Sequence, residues 1–217
     1  MKVKWLGHSA FLLTSEDGVK VLTDPYKSGS YDGAVGYKPI KERADVVIAS
    51  HEHEDHYCLE GLPEGYECLT DAGEHEAAGV TIKGIKSYHD TSKGEERGSN
   101  VIFVIDMDGM RVCHLGDLGH TLSGEQVEAI GKVDVLLIPV GGFYTIGPKE
   151  AVEVMKTLSP AITIPMHYKT GSLGFPIKPV DDFLSLAGDS ERPGTTEVEL
   201  NRESLGDGRV IVLEHEL

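Results

Sequence analysis

Cysteine is scarce in this 217-residue chain: Cys58, Cys68 and Cys113 are the three, and no two of them form a CxxC pair. That pattern reads as reduced thiols used for packing in a cytoplasmic protein, not as a disulfide framework. Long apolar runs are missing as well. The opening stretch MKVKWLGHSAFLLTSEDG has only a short one, soon followed by charge, so neither a signal peptide nor a transmembrane span is expected. There is no linker, low-complexity tract or internal repeat, and residues 1–217 read as a single domain long enough to bury a core without staples. Basic residues are outnumbered, 20 Lys and Arg against 36 Asp and Glu, for a formal net charge of -16. Such a surface repels phosphate backbones and anionic membranes, so a small-molecule substrate is expected and nucleic acid is disfavoured. Bound cations would reverse that sign locally. No GxSxG nucleophile elbow occurs, which removes the usual α/β-hydrolase reading.

What is present is a series of short strands. Residues 2–6, 10–14 and 19–23 are apolar or alternating runs, and 45–49 (DVVIA) is a continuous apolar run of the kind a buried strand shows. Further strands are expected at 80–85, 101–105, 110–115, 133–138, 161–165, 197–200 and 210–213, with Asp108-Gly109 as a tight hairpin turn. Helices are fewer. Ser123-Gly124-Glu125-Gln126 can cap one running to about Ile130, Pro148 suits the first position of another over 149–158, and 180–187 is a third. The periodicity supports an α/β or α+β chain with two sheets and helices outside them, and does not choose between a sandwich and a doubly wound sheet.

The chemistry concentrates in Ser50-His51-Glu52-His53-Glu54-Asp55-His56, directly after the strand at 45–49. In a near-extended stretch His51, His53 and Asp55 point the same way, and a turn at the strand end would bring in His56. Imidazoles with a carboxylate and no thiolate suit Zn²⁺, Mn²⁺ or Fe²⁺. Three more donors stand near the ends of later strands: His89, Asp117 in His114-Leu115-Gly116-Asp117, and His167 after Ile162-Thr163-Ile164-Pro165-Met166.

The HxHxDH signature, the later His, the LGD aspartate and the PMH histidine together resemble the metallo-β-lactamase superfamily. More narrowly, the chain resembles its branch of metal-dependent hydrolases that includes L-ascorbate-6-phosphate lactonase and, more distantly, N-acyl-phosphatidylethanolamine phospholipase D. Segments carrying this narrower likeness include Trp5-Leu6-Gly7-His8-Ser9-Ala10, Leu22-Thr23-Asp24-Pro25, Arg97-Gly98-Ser99-Asn100 and Cys113–His120, so it spans most of the chain. The resemblance implies a four-layer αββα sandwich with the site at one edge. It implies two divalent metal ions, zinc foremost: His51, His53 and His89 would hold the first, Asp55, His56 and His167 the second, and Asp117 would bridge. Glu52 and Glu54 depart from the pattern, standing where relatives often carry small residues.

Several neighbours read two ways. His8 either approaches the metals or is a hydrogen-bonded core histidine. Asp24, before Pro25, either orients a ligand imidazole or starts a turn. His114 reads as structural, in support of Asp117. His120 either donates a proton to a leaving group or sits in an exposed loop. Arg97 and Asn100 are candidates for contacting an anionic substrate, and Tyr144 and Thr145 for lining the pocket. His75 and His215 read as solvent-exposed.

The reaction class that follows is hydrolysis of an ester, lactone or phosphodiester by a hydroxide shared between two metals, with Asp55, Asp117 and His120 as the catalytic set. Two alternatives belong to other classes. A metal-dependent ligand-binding protein without catalysis is one. A di-iron redox protein is the other, although flavodiiron relatives of the fold carry a carboxylate at the position of His53 and an added flavin domain. Substrate identity and oligomeric state are not readable from the sequence.

Overall fold

The computed structural model describes residues 1–203, 205–206 and 208–217. Its strands are β1 (Lys2–Gly7), β2 (Ala10–Thr14), β3 (Lys20–Thr23), β4 (Val46–Ile48), β5 (Glu67–Leu69), β6 (Gly73–Ala77), β7 (Val80–Tyr88), β8 (Ser99–Met107), β9 (Met110–His114), β10 (Val135–Pro139), β11 (Ile162–Met166), β12 (Ser190–Glu191), β13 (Glu197–Glu199) and β14 (Arg209–Ile211). The helices are α1 (Ser30–Gly33, a single distorted turn), α2 (Gly124–Ile130), α3 (Pro148–Leu158) and α4 (Val180–Ala187).

Two sheets result, one ordered β13-β1-β2-β3-β4-β5 and the other β12-β14-β11-β10-β9-β8-β7-β6. Alternation along the first sheet divides its side chains between two cores. Trp5, Phe11, Leu13, Val21, Val46 and Ile48 join the large core shared with the second sheet. Leu6, Leu12, Leu22 and Val47 face the other way and join Tyr26, Tyr37, Ile40, Leu173 and Phe175. The expected sandwich is therefore what forms. Its two outer layers differ in kind. α2 and α3 lie against the second sheet, α4 packs on α3, and the outer face of the first sheet is covered by the loops around α1 and before α4.

The helices begin where local chemistry favours them. Ser123 accepts from the Gln126 backbone at 3.2 Å while Gln126 Oε1 accepts from the Ser123 backbone at 3.0 Å, a complete capping box. α3 opens on Pro148, buries Ala151, Val152, Val154 and Leu158, and stops at Ser159 in the left-handed region. Three strands had no signal in the sequence. β5, β6 and β12 are short and mostly exposed, and β6 (GEHEA) is polar along nearly its whole length. β5, β6 and β12 are sheet edges, where charge discourages pairing with another chain. Among the described residues no helix is long and apolar enough to cross a membrane.

β1, β3 and β4 run in one direction in the first sheet, and β7, β9 and β11 share a direction in the second. Their C-terminal ends lead directly into His8, Asp24, Ser50-His51, His89, Gly116-Asp117 and His167.

Burial separates residues that carry the fold from those that do not. Phe11 is wholly buried between the sheets, whereas Phe143 is 65% exposed. Phe11→Ala is expected to destabilise by roughly 3–5 kcal/mol, and Phe143→Ala to stay within about 0.5 kcal/mol, both read from urea midpoints. Equal shifts for the two variants would contradict this division of the core.

Candidate metal centre

Strand ends deliver the donors, but not by the extended alternation expected to align His51, His53 and Asp55. The backbone turns at His53, with the amides of His56 and Tyr57 both donating to its carbonyl at 2.9 and 2.8 Å. His51 and His53 therefore stay with His89, while Asp55 and His56 are carried to the far side. Three donor groups have ligand atoms within 4.8 Å of one another: His51, His53 and His89; His8, Asp55, His56 and His167; and His51, His56 and Asp117. Asp117 lies between the first two sets, its Oδ2 3.2 Å from Nε2 of each of His56, His89 and His167.

Whether these residues suit a metal can be judged from the atoms left without protein partners. His51 Nε2, His56 Nε2 and Asp117 Oδ1 are buried with no hydrogen bond. Polar atoms in that position cost free energy unless something else meets them. An imidazole-carboxylate set of this kind fits a divalent cation.

The donors are held from behind. Asp24 is fully buried. It accepts from the Ser50 amide and hydroxyl at 2.7 Å each and from His56 Nδ1 at 2.8 Å, and lies 3.0 Å from His114 Nε2. Burial would raise its pKa, but His114 and then His56 outweigh that and hold it well below the carboxylate range. Ser50 Oγ also lies 3.0 Å from His51 Nδ1, so one hydroxyl links Asp24 to a second imidazole. Of the two readings of Asp24, the one in which it orients an imidazole matches this geometry. His114 touches Asp24 and not Asp117, which corrects the support expected of it.

His8 is fully buried, its Nε2 3.1 Å from Asp55 Oδ2, and Tyr31 donates to the other oxygen of Asp55 at 3.1 Å. Burial, then the neighbouring His167, pushes the His8 pKa down to about 4. His8, Asp24 and His167 all adopt left-handed backbone, with φ of 52°, 39° and 49°. Such conformations cost roughly 1–3 kcal/mol each and persist where the surroundings enforce them. Behind Asp117, Gly116 has φ +55°, and a Cβ there would stand 2.4 Å from both Asn100 Oδ1 and Ser50 Cβ.

The cavity beside the donors holds about 260 Å³ and is reached by His53, Asp55, His89, Asp117 and His167, with Arg97 and Tyr144 also on its wall. The other residues expected near a substrate lie elsewhere. Asn100 is buried, donates to Ser87 Oγ and the Leu115 carbonyl, and accepts from the Asp117 amide at 2.9 Å, so it positions Asp117. Thr145 borders a neighbouring open groove of about 1100 Å³ that none of the seven ligand candidates lines. His120 borders the same groove, with Nδ1 bonded to the Thr121 carbonyl at 2.8 Å and Nε2 accepting from the Tyr88 amide at 3.2 Å. With both nitrogens engaged by backbone and the ring outside the cavity, His120 is not placed to protonate a leaving group. Glu52 and Glu54 are exposed, and Glu54 pairs with Lys27 at 2.5 Å. His215 is half-buried against Trp5 and Tyr37 instead of solvent-exposed, and His75 is half-buried as well.

Sequence reasoning missed Tyr31, Ser50, Asp90, Glu96 and Phe175. Ser50 and Asp90 each adjoin a candidate ligand histidine, and Asp90 heads a Ser/Gly-containing loop, so a turn signal was there to use. Tyr31 and Phe175 sit in loops without a motif.

Comparison with known proteins gives consistent matches. Residues 2–167 match the family described as beta-lactamase superfamily domain. A UPF0173 metal-dependent hydrolase of Archaeoglobus fulgidus is 32% identical over 214 residues, covering 84% of this chain and 89% of that protein. Another, from Thermococcus onnurineus, is 31% identical over 78% of this chain and 85% of that protein. Among solved structures, a candidate Zn-dependent hydrolase of the metallo-β-lactamase superfamily from Thermotoga maritima is 41% identical, with a TM-score of 0.81 over 98% of each chain.

His56 sets a proton balance for metal uptake. Burial alone would lower its pKa, yet Asp117, Asp55 and Asp24 raise it well above the usual value. That shift favours the protonated imidazole, and a protonated Nε2 would have to give up its proton to serve as a ligand. Metal uptake at pH 7 is expected to release protons, seen as a binding enthalpy that varies with buffer ionisation heat, and affinity is expected to fall as pH is lowered. A buffer-independent enthalpy would contradict His56 as a ligand.

Proposed function

The chain belongs to the β-lactamase superfamily domain family and, within it, to the UPF0173 metal-dependent hydrolases, and on that premise we propose that it hydrolyses a small ester, lactone or phosphodiester at a pair of divalent metal ions. Zinc is the first choice for the pair, with Mn²⁺ and Fe²⁺ also suited to the donor set. The observation that carries this reading is the division of the donors into two groups on either side of Asp117. His51, His53 and His89 would hold one ion, Asp55, His56 and His167 the other, and Asp117 would be shared. When bound, such a pair supplies a water activated near neutral pH and an electrophilic centre for the substrate oxygen.

The remaining work belongs to the chain's own side chains. Asp24 and Ser50 fix the rings of His56 and His51 through Nδ1, which leaves the Nε2 atoms of both for the side of Asp117. His8 and Tyr31 hold the two oxygens of Asp55. Asn100 fixes the backbone at Asp117. Each removes freedom that a ligand would otherwise lose on binding metal. The narrower kinship with lactonase and phospholipase branches is supported by sequence segments alone, which leaves the bond type to assay. The small cavity and acidic chain favour a small molecule over nucleic acid.

Elemental analysis after metal loading, paired with hydrolysis of bis-p-nitrophenyl phosphate and a lactone panel, tests the reading. Two metals per chain and chelator-sensitive turnover are expected, and a fully loaded protein inert to every substrate would overturn it. Asp117→Ala is expected to lose most metal and all measurable turnover, whereas full metal content would refute the shared position. Asp24→Asn, which touches no expected metal, should weaken metal affinity roughly 10–100-fold, and unchanged affinity in a titration would remove its orienting role.

A further inference from the structure

The cavity has two unlike walls. On the side of Asp55 and His167, three aromatic rings stand together: Phe175 lies edge-on to Tyr31 at 5.4 Å and to Tyr144 at 5.5 Å between centroids, and edge-on to His8 at 5.8 Å. Tyr31 is further held by its bond to Asp55. Arg97 lines the cavity from the loop of residues 90–98 together with Glu96, and among the described residues no second Lys or Arg lines it.

Arg97 is displayed by a built loop. Asp90 accepts backbone N–H groups from Ser92, Gly94, Glu96 and Arg97, at 2.8, 2.8, 3.1 and 2.8 Å. The loop closes on itself through Gly98 N to Gly94 O at 3.0 Å and His89 N to Gly98 O at 3.1 Å. Glu96 receives Ser92 Oγ at 2.9 Å and stands 3.6 Å from Arg97 Nη1, steering the half-buried guanidinium without burying it. A cation so held beside the donor cluster of an acidic protein is suited to meeting an anion through charge-assisted bonds.

We infer that the cavity selects a small substrate with a planar or apolar group on the Tyr31–Phe175–Tyr144 wall and an anionic group met by Arg97. This rests on the hydrolase reading for where the scissile bond lies, between those two ends. At about 260 Å³ the cavity is just below the usual range for ligand pockets. That volume limits the substrate to a compact molecule. Aromatic contact supplies affinity beyond burial alone, and the guanidinium supplies the sign of the charge.

Calorimetric binding to the zinc-loaded protein tests this with two probes, benzylphosphonate and methylphosphonate, which carry the same anionic group and differ in the aromatic ring. The native protein is expected to bind benzylphosphonate about tenfold more tightly. Phe175→Leu keeps apolar volume in the core and should narrow that gap severalfold. Arg97→Gln, at the surface, should weaken both probes about tenfold and leave the gap intact. Equal affinities in the native protein, an unchanged gap in Phe175→Leu or unchanged affinities in Arg97→Gln would each overturn the inference. Because binding needs no turnover, the two readings fail separately. A protein that shows the gaps yet hydrolyses nothing refutes only hydrolysis, and one that hydrolyses without the gaps refutes only the substrate class.

Discussion

A single buried carboxylate holds the two halves of the molecule in register at the working edge. Asp24 comes from the end of β3 in the first sheet, and His114, 3.0 Å from it, comes from the end of β9 in the second. Between them the same carboxylate takes both donors of Ser50 and the Nδ1 of His56. An ionised group removed from water is costly unless fully partnered. Here the partners include the candidate metal donor His56 and Ser50, which contacts the candidate donor His51, so satisfying the charge and ordering the cluster are one event.

Around that carboxylate the backbone accepts conformations it would avoid elsewhere. His8, Asp24 and His167 are left-handed without being glycine, and each stands where a strand ends and a side chain must be redirected across the sheet edge. Asp117 is surrounded by three imidazoles, which hold its charge against the penalty of burial. Strain and concentrated charge at one edge are carried by an apolar interior that fills the space between the sheets. This is the usual partition between a site that is locally unfavourable and a scaffold that compensates.

The sequence was most informative where chemistry is periodic or clustered. The seven ligand candidates, the strand at 45–49 and the capped helix at 124–130 were legible because each rests on a local pattern. The two-sheet sandwich followed from the family resemblance that those motifs carry. Less legible was anything set by three-dimensional reach. His51, His53 and Asp55 read as one near-extended stretch with a turn only at His56, yet the chain already turns at His53 and divides the donors between two groups. His120 is two residues from the C-terminal side of Leu118 and close to Asp117 in sequence, but backbone partners hold it outside the cavity. Asn100 reads as a candidate contact for an anionic substrate, and its side chain is instead spent on the Asp117 amide, Ser87 and the Leu115 carbonyl. Edge strands such as β6 lack an apolar face, so no periodicity announces them.

The two loops covering the first sheet also furnish Tyr31 and Phe175, so the same segments close a core on one side and shape the cavity on the other. In many enzymes substrate-facing loops can vary freely because the scaffold does not lean on them. In this chain that freedom is reduced. Changing Phe175 to admit another molecule also removes a ring from the outer core, so new specificity and folding stability draw on the same residue. Diversification by laboratory evolution would progress faster through the loop of residues 90–98, whose Glu96 and Arg97 reach the cavity without filling either core.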